Sequence, residues 1–356
     1  MTPLLENILH QPEALSGVAR YHAGEGRGAL ESATELLLKR KRVIVTGMGA
    51  SYHAGLRFTY ALTSSGLRAQ CVEASELLYF LGSEVDSETV LILVSRSGES
   101  VEITRLLTKV HATGAATIAI SNLPESTLAK AADCCILMAS PADQFVAVQT
   151  YTATVSTFAL LHAALKNELI RASEELQKTA EILAQWIPEC VASRHDSDEL
   201  LKMRGPCYML ARGPALGSVA EAVLLMHETA KTAAIGMSIA QFRHGPVETV
   251  DSDFHAIVLG TQAQTVDLDA GLANDITSMK GTVRWLGPPV STCNAVSLCR
   301  WPDEVPSRFY AVTEIIPLQC LAYRNAELRG ISPGRFRWAP LVTASESGFA
   351  ITQAER

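Results

Sequence analysis

Thr89-Val-Leu-Ile-Leu-Val94, running directly into Ser95-Arg-Ser-Gly-Glu-Ser100, decides the fold class. The first six residues form an apolar run of strand length with no polar alternation. Such a run suits a parallel strand covered on both faces. A serine- and glycine-rich turn ends it. The helix that follows places Ile103, Leu106, Leu107 and Val110 on one side and stops near Gly114. The same rhythm occupies the flanking sequence. Val43 to Thr46 reads as a strand, Gly47-Met-Gly-Ala-Ser51 as a tight glycine turn, and Tyr52 to Thr63 as a helix. Ala69 to Val72 is a short strand, and Ser75 is placed to cap a helix over Glu76 to Leu81. Thr117 to Ser121 and Cys135 to Met138 are further strands. Repeated strand–turn–helix units predict right-handed βαβ crossovers and an open parallel sheet flanked by helices on both faces, an α/β fold.

A second alternation begins after Glu168 to Ile187, which reads as a helix, and Pro188 to Asp198, which reads as a linker. Cys207 to Ala211 is a strand, Arg212-Gly-Pro-Ala-Leu-Gly217 a turn, and a helix runs to about Lys231. His255 to Gly260, Val283 to Leu286 and Val296 to Arg300 read as strands, and Phe309 to Leu328 as a helix. Each half opens with an apolar strand, a glycine turn and a helix, so the chain is read as a duplicated α/β unit. The expected organisation is a peripheral helical segment at 1–40, a first domain at 41–167, a helical linker at 168–200, a second domain at 201–332 and an irregular tail at 333–356.

Composition excludes several function classes. With 356 residues, 48% apolar and 19% charged, the chain can bury a sizeable core and is not mainly disordered. Its formal charge of −7 disfavours a nucleic-acid surface, which needs a basic face. Met1 to Leu30 carries Glu6, Glu13 and Glu25 without a continuous apolar stretch, so no secretory signal is expected. The uncharged run Gln144 to Leu165 is long enough to raise a membrane span. Its Gln144, Gln149, His162 and repeated threonines instead predict a loop and then a buried helix. Eight cysteines without a CxxC pair read as buried thiols, and a cytoplasmic location is expected.

Ser95 to Ser100 sits where a buried strand enters a helix, the place where open α/β sheets bind ligands. Free N–H groups and the positive helix end attract an anion. Hydroxyls at Ser95, Ser97 and Ser100 can add hydrogen bonds, and Gly98 permits close backbone approach. Two readings remain open on spacing alone, a phosphate cradle and a serine-rich N-cap. The turn at Gly47 to Ser51 begins like a dinucleotide fingerprint, but Tyr52 stands where the third glycine belongs. Glu221 and Glu228 are seven residues apart and share a helix face. By spacing, Glu228 also fits an i,i+3 pair with Lys231. His244 lies in the loop Arg243-His-Gly-Pro246.

Taken together, Gly47-Met-Gly-Ala-Ser-Tyr52, Glu73-Ala-Ser-Glu76, Val94 to Ser100, Val146-Ala147, Glu221, Glu228, Arg243 to Pro246 and Pro317-Leu-Gln-Cys-Leu-Ala-Tyr323 resemble sugar isomerase (SIS) domains. The arrangement is similar to the isomerase half of glucosamine-6-phosphate synthase and its stand-alone relatives, from about residue 30 to 345. The resemblance implies two SIS domains and a phosphosugar held by Ser51, Ser95, Ser97 and Ser100. It implies that Gly49, Ala50, Val146 and Ala147 line the sugar. It also implies that Glu228 moves a proton between C1 and C2, that His244 assists ring opening from a partner subunit, and that the chain is a homodimer.

Departures from that family shape the functional expectation. Thr2 stands where a glutaminase nucleophile would be, so no ammonia release from glutamine is expected. The family's tail lysine has no counterpart in Ala339-Pro-Leu-Val-Thr343, and no lysine follows Lys280. Leu225 replaces a lysine three residues before the catalytic glutamate, and Arg96 replaces a glutamine. An arginine there can recognise a carboxylate or strengthen phosphate binding. The expectation is C1–C2 proton transfer on a hexose 6-phosphate or an amino-sugar or fructosamine 6-phosphate, of deaminase or deglycase type ahead of simple isomerisation. No metal or organic cofactor, nucleic acid or membrane partner is expected. The alternative is a non-catalytic phosphosugar sensor, which would keep the serine loop and have no need of Glu228 and His244.

Overall fold

The structure is a computed structural model, and it describes residues 1–202, 205–339 and 341–347. Five parallel strands form the first sheet: β1 (Arg42–Gly47), β2 (Arg68–Glu73), β3 (Thr89–Val94), β4 (Ala116–Ser121) and β5 (Cys134–Leu137), in the order β2-β1-β3-β4-β5. The second sheet contains β6 (Cys207–Ala211), β7 (Ala234–Ser238), β8 (His255–Leu259), β9 (Thr282–Leu286) and β10 (Val296–Ser297), in the order β10-β9-β8-β6-β7. Read outward from the first strand of each half, the two orders are the same, so the duplication read from the sequence is a duplication of topology.

The apolar run at β3 is buried along its whole length. Val90, Ile92 and Val94 enter one core, while Leu91 and Leu93 enter another. Alternate side chains therefore require cover on both faces. Strand β8 does the same: Ile257 and Leu259 join the first of these cores, and Ala256 and Val258 a third. One central core thus lies between the two sheets, and each sheet has a further core on its outer face.

Several expectations change. The first 40 residues are helical, as Pro3–Leu9, Gln11–Ala23 and Arg27–Lys39, but they are not peripheral. Ile8, Leu15, Val18, Leu30 and Leu37 are fully buried in the central core. The linker expected at Pro188 to Asp198 is mostly helix. Helix Leu169–Ala192 runs through Pro188, and the turn Ser193–Ser197 and the short helix Asp198–Leu201 follow. Burial of Trp186, Ile187 and Cys190 around that proline outweighs its lost hydrogen bond, a cost of about 3 kcal/mol. Ser75 is not a cap: its helix begins at Ala74, and its Oγ donates to Glu73 Oε1 at 2.6 Å. The strand expected at Val296 to Arg300 pairs only over Val296–Ser297. Strand β7 and helix Val266–Ser278 were not legible in the periodicity. The run Gln144 to Leu165 is a loop and the buried helix Gln149–Leu165, and among the described residues no helix is long and apolar enough to cross a membrane.

Candidate functional site

Strands β1 and β3 are neighbours whose ends are level, with Gly47 opposite Val94. The chain leaves β1 toward the sheet edge and returns beyond it to form β3, so the loops after these two strands part and leave a crevice. A cavity of about 280 Å³ lies there. Gly49, Ala50 and Ser51 border it from the first loop, and Ser95, Arg96, Ser97 and Ser100 from the second. Gly49 holds φ +52° at the start of helix Ala50–Ser64, and Ser100 precedes helix Val101–Val110. Neither helix start is capped by a side chain of its own, although the Met48 and Thr343 carbonyls take the Ser51 and Val101 amides at 3.2 and 3.0 Å.

The serine loop is held from within. Ser95 Oγ accepts from the Gly98 amide at 3.1 Å and lies 3.4 Å from Ser100 Oγ. Gly98 has φ +66°, and a Cβ there would come within 2.2 Å of Ser126 Oγ. The Glu99 carboxylate turns away from the cavity and accepts from the amide and hydroxyl of Thr127 at 2.7 and 2.8 Å. Arg96 is half-buried, and its guanidinium reaches the carbonyls of Phe145 and Leu341 at 3.4 and 3.5 Å. These are long contacts, made without a carboxylate partner among the described residues.

Two supports of this site were missed in the sequence. Buried Asp143 accepts from the amides of Val148, Gln149 and Thr150 at 2.9–3.0 Å and from Thr150 Oγ1 at 2.5 Å. It closes the start of helix Gln149–Leu165 and fixes the loop that carries Ala147. The tail also folds back over the cavity: Phe336, Leu341 and Thr343 line it, and the Thr343 carbonyl accepts from the Val101 amide at 3.0 Å.

Glu228 reaches the same cavity from the second half, on helix Ala215–Ala230. Burial pushes its carboxyl pKa up to about 7; nearby Glu221 adds to this, while Lys231 and Arg96 oppose it. Lys231 caps the helix in the left-handed conformation, and its ammonium donates to the backbone carbonyl of Glu228. No Glu228–Lys231 carboxylate ion pair occurs among the described ion pairs. Glu221, on the same helix, is buried elsewhere, with Oε2 2.9 Å from His53 Nδ1. Burial raises its pKa as well.

The cavity therefore brings together Gly49, Ala50, Ser51, Ser95, Arg96, Ser97, Ser100, Ala147 and Glu228. Val146 is outside this group; it is buried beside a neighbouring 150 Å³ cavity that Leu4 and Asn7 also line. His244 is exposed beyond helix Ile239–Phe242 and does not line the cavity of its own chain.

Residues 36–166 match the family model of the SIS domain. This chain carries a SIS domain. Its sequence is 26% identical over 344 residues to a glutamine–fructose-6-phosphate aminotransferase (isomerizing) from Pyrobaculum aerophilum, covering 94% of this chain and 56% of the relative. This chain thus spans little more than half the length of that relative. Its fold is similar to the C-terminal domain of glucosamine-fructose-6-phosphate aminotransferase from Francisella tularensis. That comparison has a TM-score of 0.81 at 20% identity, covering 94% of this chain and 98% of the other. It is also similar to glucosamine-6-phosphate deaminase from Thermotoga maritima, with a TM-score of 0.76 at 19% identity, covering 96% and 99%. Both sheets fall within these matches, so the architecture is that of two SIS domains in one α/β chain.

Proposed function

We propose that this protein is an enzyme that binds a hexose 6-phosphate, or an amino-sugar or fructosamine 6-phosphate, and moves a proton between C1 and C2. The observation that carries the reading is that Glu228, with a pKa near 7, lies in the cavity that the serine loop borders. In this reading the phosphate rests on the hydroxyls of Ser51, Ser95, Ser97 and Ser100 and on those first-turn amides of the two helices that the Met48 and Thr343 carbonyls do not take. That leaves the other end of the sugar toward Glu228. The carboxylate takes a proton from one carbon and returns it to the neighbour through an enediol or enolamine. His244 of the partner subunit would open the sugar ring. Where the sugar carries an amine, water then adds to the resulting imine carbon and the amine leaves as ammonia or an amino acid. The deaminase named among the structural neighbours and the position of Arg96 support amine release ahead of simple isomerisation.

The test is incubation with a panel of hexose, amino-sugar and fructosamine 6-phosphates, with detection of released ammonia, released amino acid and ketose–aldose interconversion. Phosphorylated sugars should raise the melting temperature and their unphosphorylated forms should not. Ser95→Ala with Ser97→Ala should remove the shift. Binding without any turnover across the panel would favour the sensor reading. Equal stabilisation by glucose and glucose 6-phosphate would remove the phosphate site altogether.

A further inference from the structure

Among the described residues, the lining of the serine-loop cavity holds one cation, Arg96, and one carboxylate, Glu228. Arg96 springs from the serine loop, yet its described hydrogen bonds go to none of the serine hydroxyls. Its guanidinium reaches the carbonyls of Phe145, in the loop before helix Gln149–Leu165, and of Leu341, in the tail. Both contacts are long, at 3.4 and 3.5 Å, and both acceptors are neutral, so the guanidinium is anchored without being neutralised. An anionic oxygen competes well for such a group, because a charge-assisted bond is shorter and roughly twice as strong as a neutral one.

The two carbonyls fix which end of the cavity this cation serves. The Phe145 ring stands 6.0 Å from the Phe336 ring, edge to face. Lys231 Nζ lies 6.0 Å from the centre of the Phe336 ring and donates to the Glu228 carbonyl. The wall that Arg96 grips is therefore the one that backs onto Glu228. Burial and Glu221 raise the Glu228 pKa while Lys231 and Arg96 oppose them, which accords with this placement. A 6-phosphate at the other end has the serine hydroxyls and the remaining first-turn amides. Glu228 repels a second anion, so Arg96 is the one charged group in the lining able to hold a carboxylate.

We propose that Arg96 is a specificity-determining residue that pairs with a carboxylate on the amine portion of the substrate. The substrate class is then the 6-phosphate of a fructosamine made from an amino acid. This assignment rests on the reading of Glu228 as the base beside a bound 6-phosphate. The carboxylate, one carbon from the amine nitrogen, meets the guanidinium fork while C1 and C2 face Glu228. The probes are the 6-phosphates of fructosylglycine and of fructosyl-2-aminoethanol, which differ only in a carboxylate against a hydroxymethyl group, together with fructose 6-phosphate. Each is titrated calorimetrically into the full chain and into Arg96→Gln and Arg96→Lys, with folding of the variants checked by circular dichroism. The wild type should bind the glycine compound about tenfold or more tighter than the aminoethanol compound, the effect of one charge-assisted contact. In Arg96→Gln the two should bind alike, and the loss should be larger for the glycine compound than for fructose 6-phosphate. Arg96→Lys keeps the charge but not the fork and should restore part of the preference. Equal affinities for the pair in the wild type overturn the proposal. A variant that loses fructose 6-phosphate as heavily as the glycine compound would put the guanidinium on the phosphate, and overturns it too. Failure of all three probes to bind the wild type would instead remove the phosphosugar reading, and this assignment with it.

Discussion

Glu228 is placed so that its charge is costly to keep but not prohibitively so. Burial and Glu221 disfavour the carboxylate, Lys231 and Arg96 favour it, and the balance is a pKa of about 7 against an ordinary value of 4.5. A base with that pKa is half ionised near neutral pH and holds its proton firmly enough to return it. If it acts as the base, kcat/KM should rise with pH through about 7 and then level. Glu228→Gln should lower turnover by roughly 10²–10⁴-fold while ligand affinity changes little. The same shift has a consequence for stability. Between pH 4.5 and about 7 the unfolded carboxyl releases its proton while the folded one retains it, so rising pH favours the unfolded state across that window. The glutamine variant lacks this penalty. Calorimetric melts at fixed ionic strength should show its melting temperature gaining on the wild type between pH 4 and pH 8. A constant difference would mean that the folded and unfolded carboxyls titrate alike. The position of Glu228 was legible only through the family resemblance. Spacing alone offered Lys231 as its partner, and the structure gives that ammonium to a backbone carbonyl instead.

The serine loop works as an element because its ends are fixed. Strand β3 is buried on both faces, Glu99 ties the loop to Thr127, and Gly98 adopts a conformation that a side chain would strain. Gly98→Ala combines a positive φ with a 2.2 Å approach to Ser126 Oγ. It should destabilise the fold by about 1–3 kcal/mol, read from denaturant melts, and should weaken sugar-phosphate binding through the displaced loop. An unchanged midpoint would show that the loop is not held as described. This element was legible in the sequence because an unbroken apolar strand and its turn residues are local signals. Asp143 was not, because it acts at a distance along the chain. Its carboxylate reaches amides five, six and seven residues on, whereas the familiar helix cap stands beside the first turn. The linker at Pro188 was misread for a related reason. Proline is a local break signal, and the packing of Trp186 and Ile187 that overrides it is tertiary.

At the scale of the molecule, the duplicated topology was legible because each half repeats strand, glycine turn and helix. The fusion of the halves around one core was not, since no periodicity in either half reports on the other. That fusion leaves one face of helix Ala215–Ala230 open. Leu216, Val219, Ala220, Val223 and Leu224, together with Met237 of β7, line a groove of about 390 Å³ that His53 and His227 also border. Leu224 borders both this groove and the serine-loop cavity, so a surface seated in the groove would abut the candidate site. His244, exposed and not part of the cavity lining of its own chain, is the side chain that a second copy could bring there. The expectation is a homodimer with shared sites, giving about twice the 38.3 kDa chain mass in light scattering. A sharper test uses two variants. Glu228→Gln and His244→Ala should each be inactive alone. After mixing and subunit exchange, half of the sites in each mixed dimer would have an intact Glu228 from one chain and an intact His244 from the other. Activity should therefore reappear on mixing. A mixture as inactive as its components, with exchange verified by mass spectrometry, would show that His244 serves its own chain or no site at all.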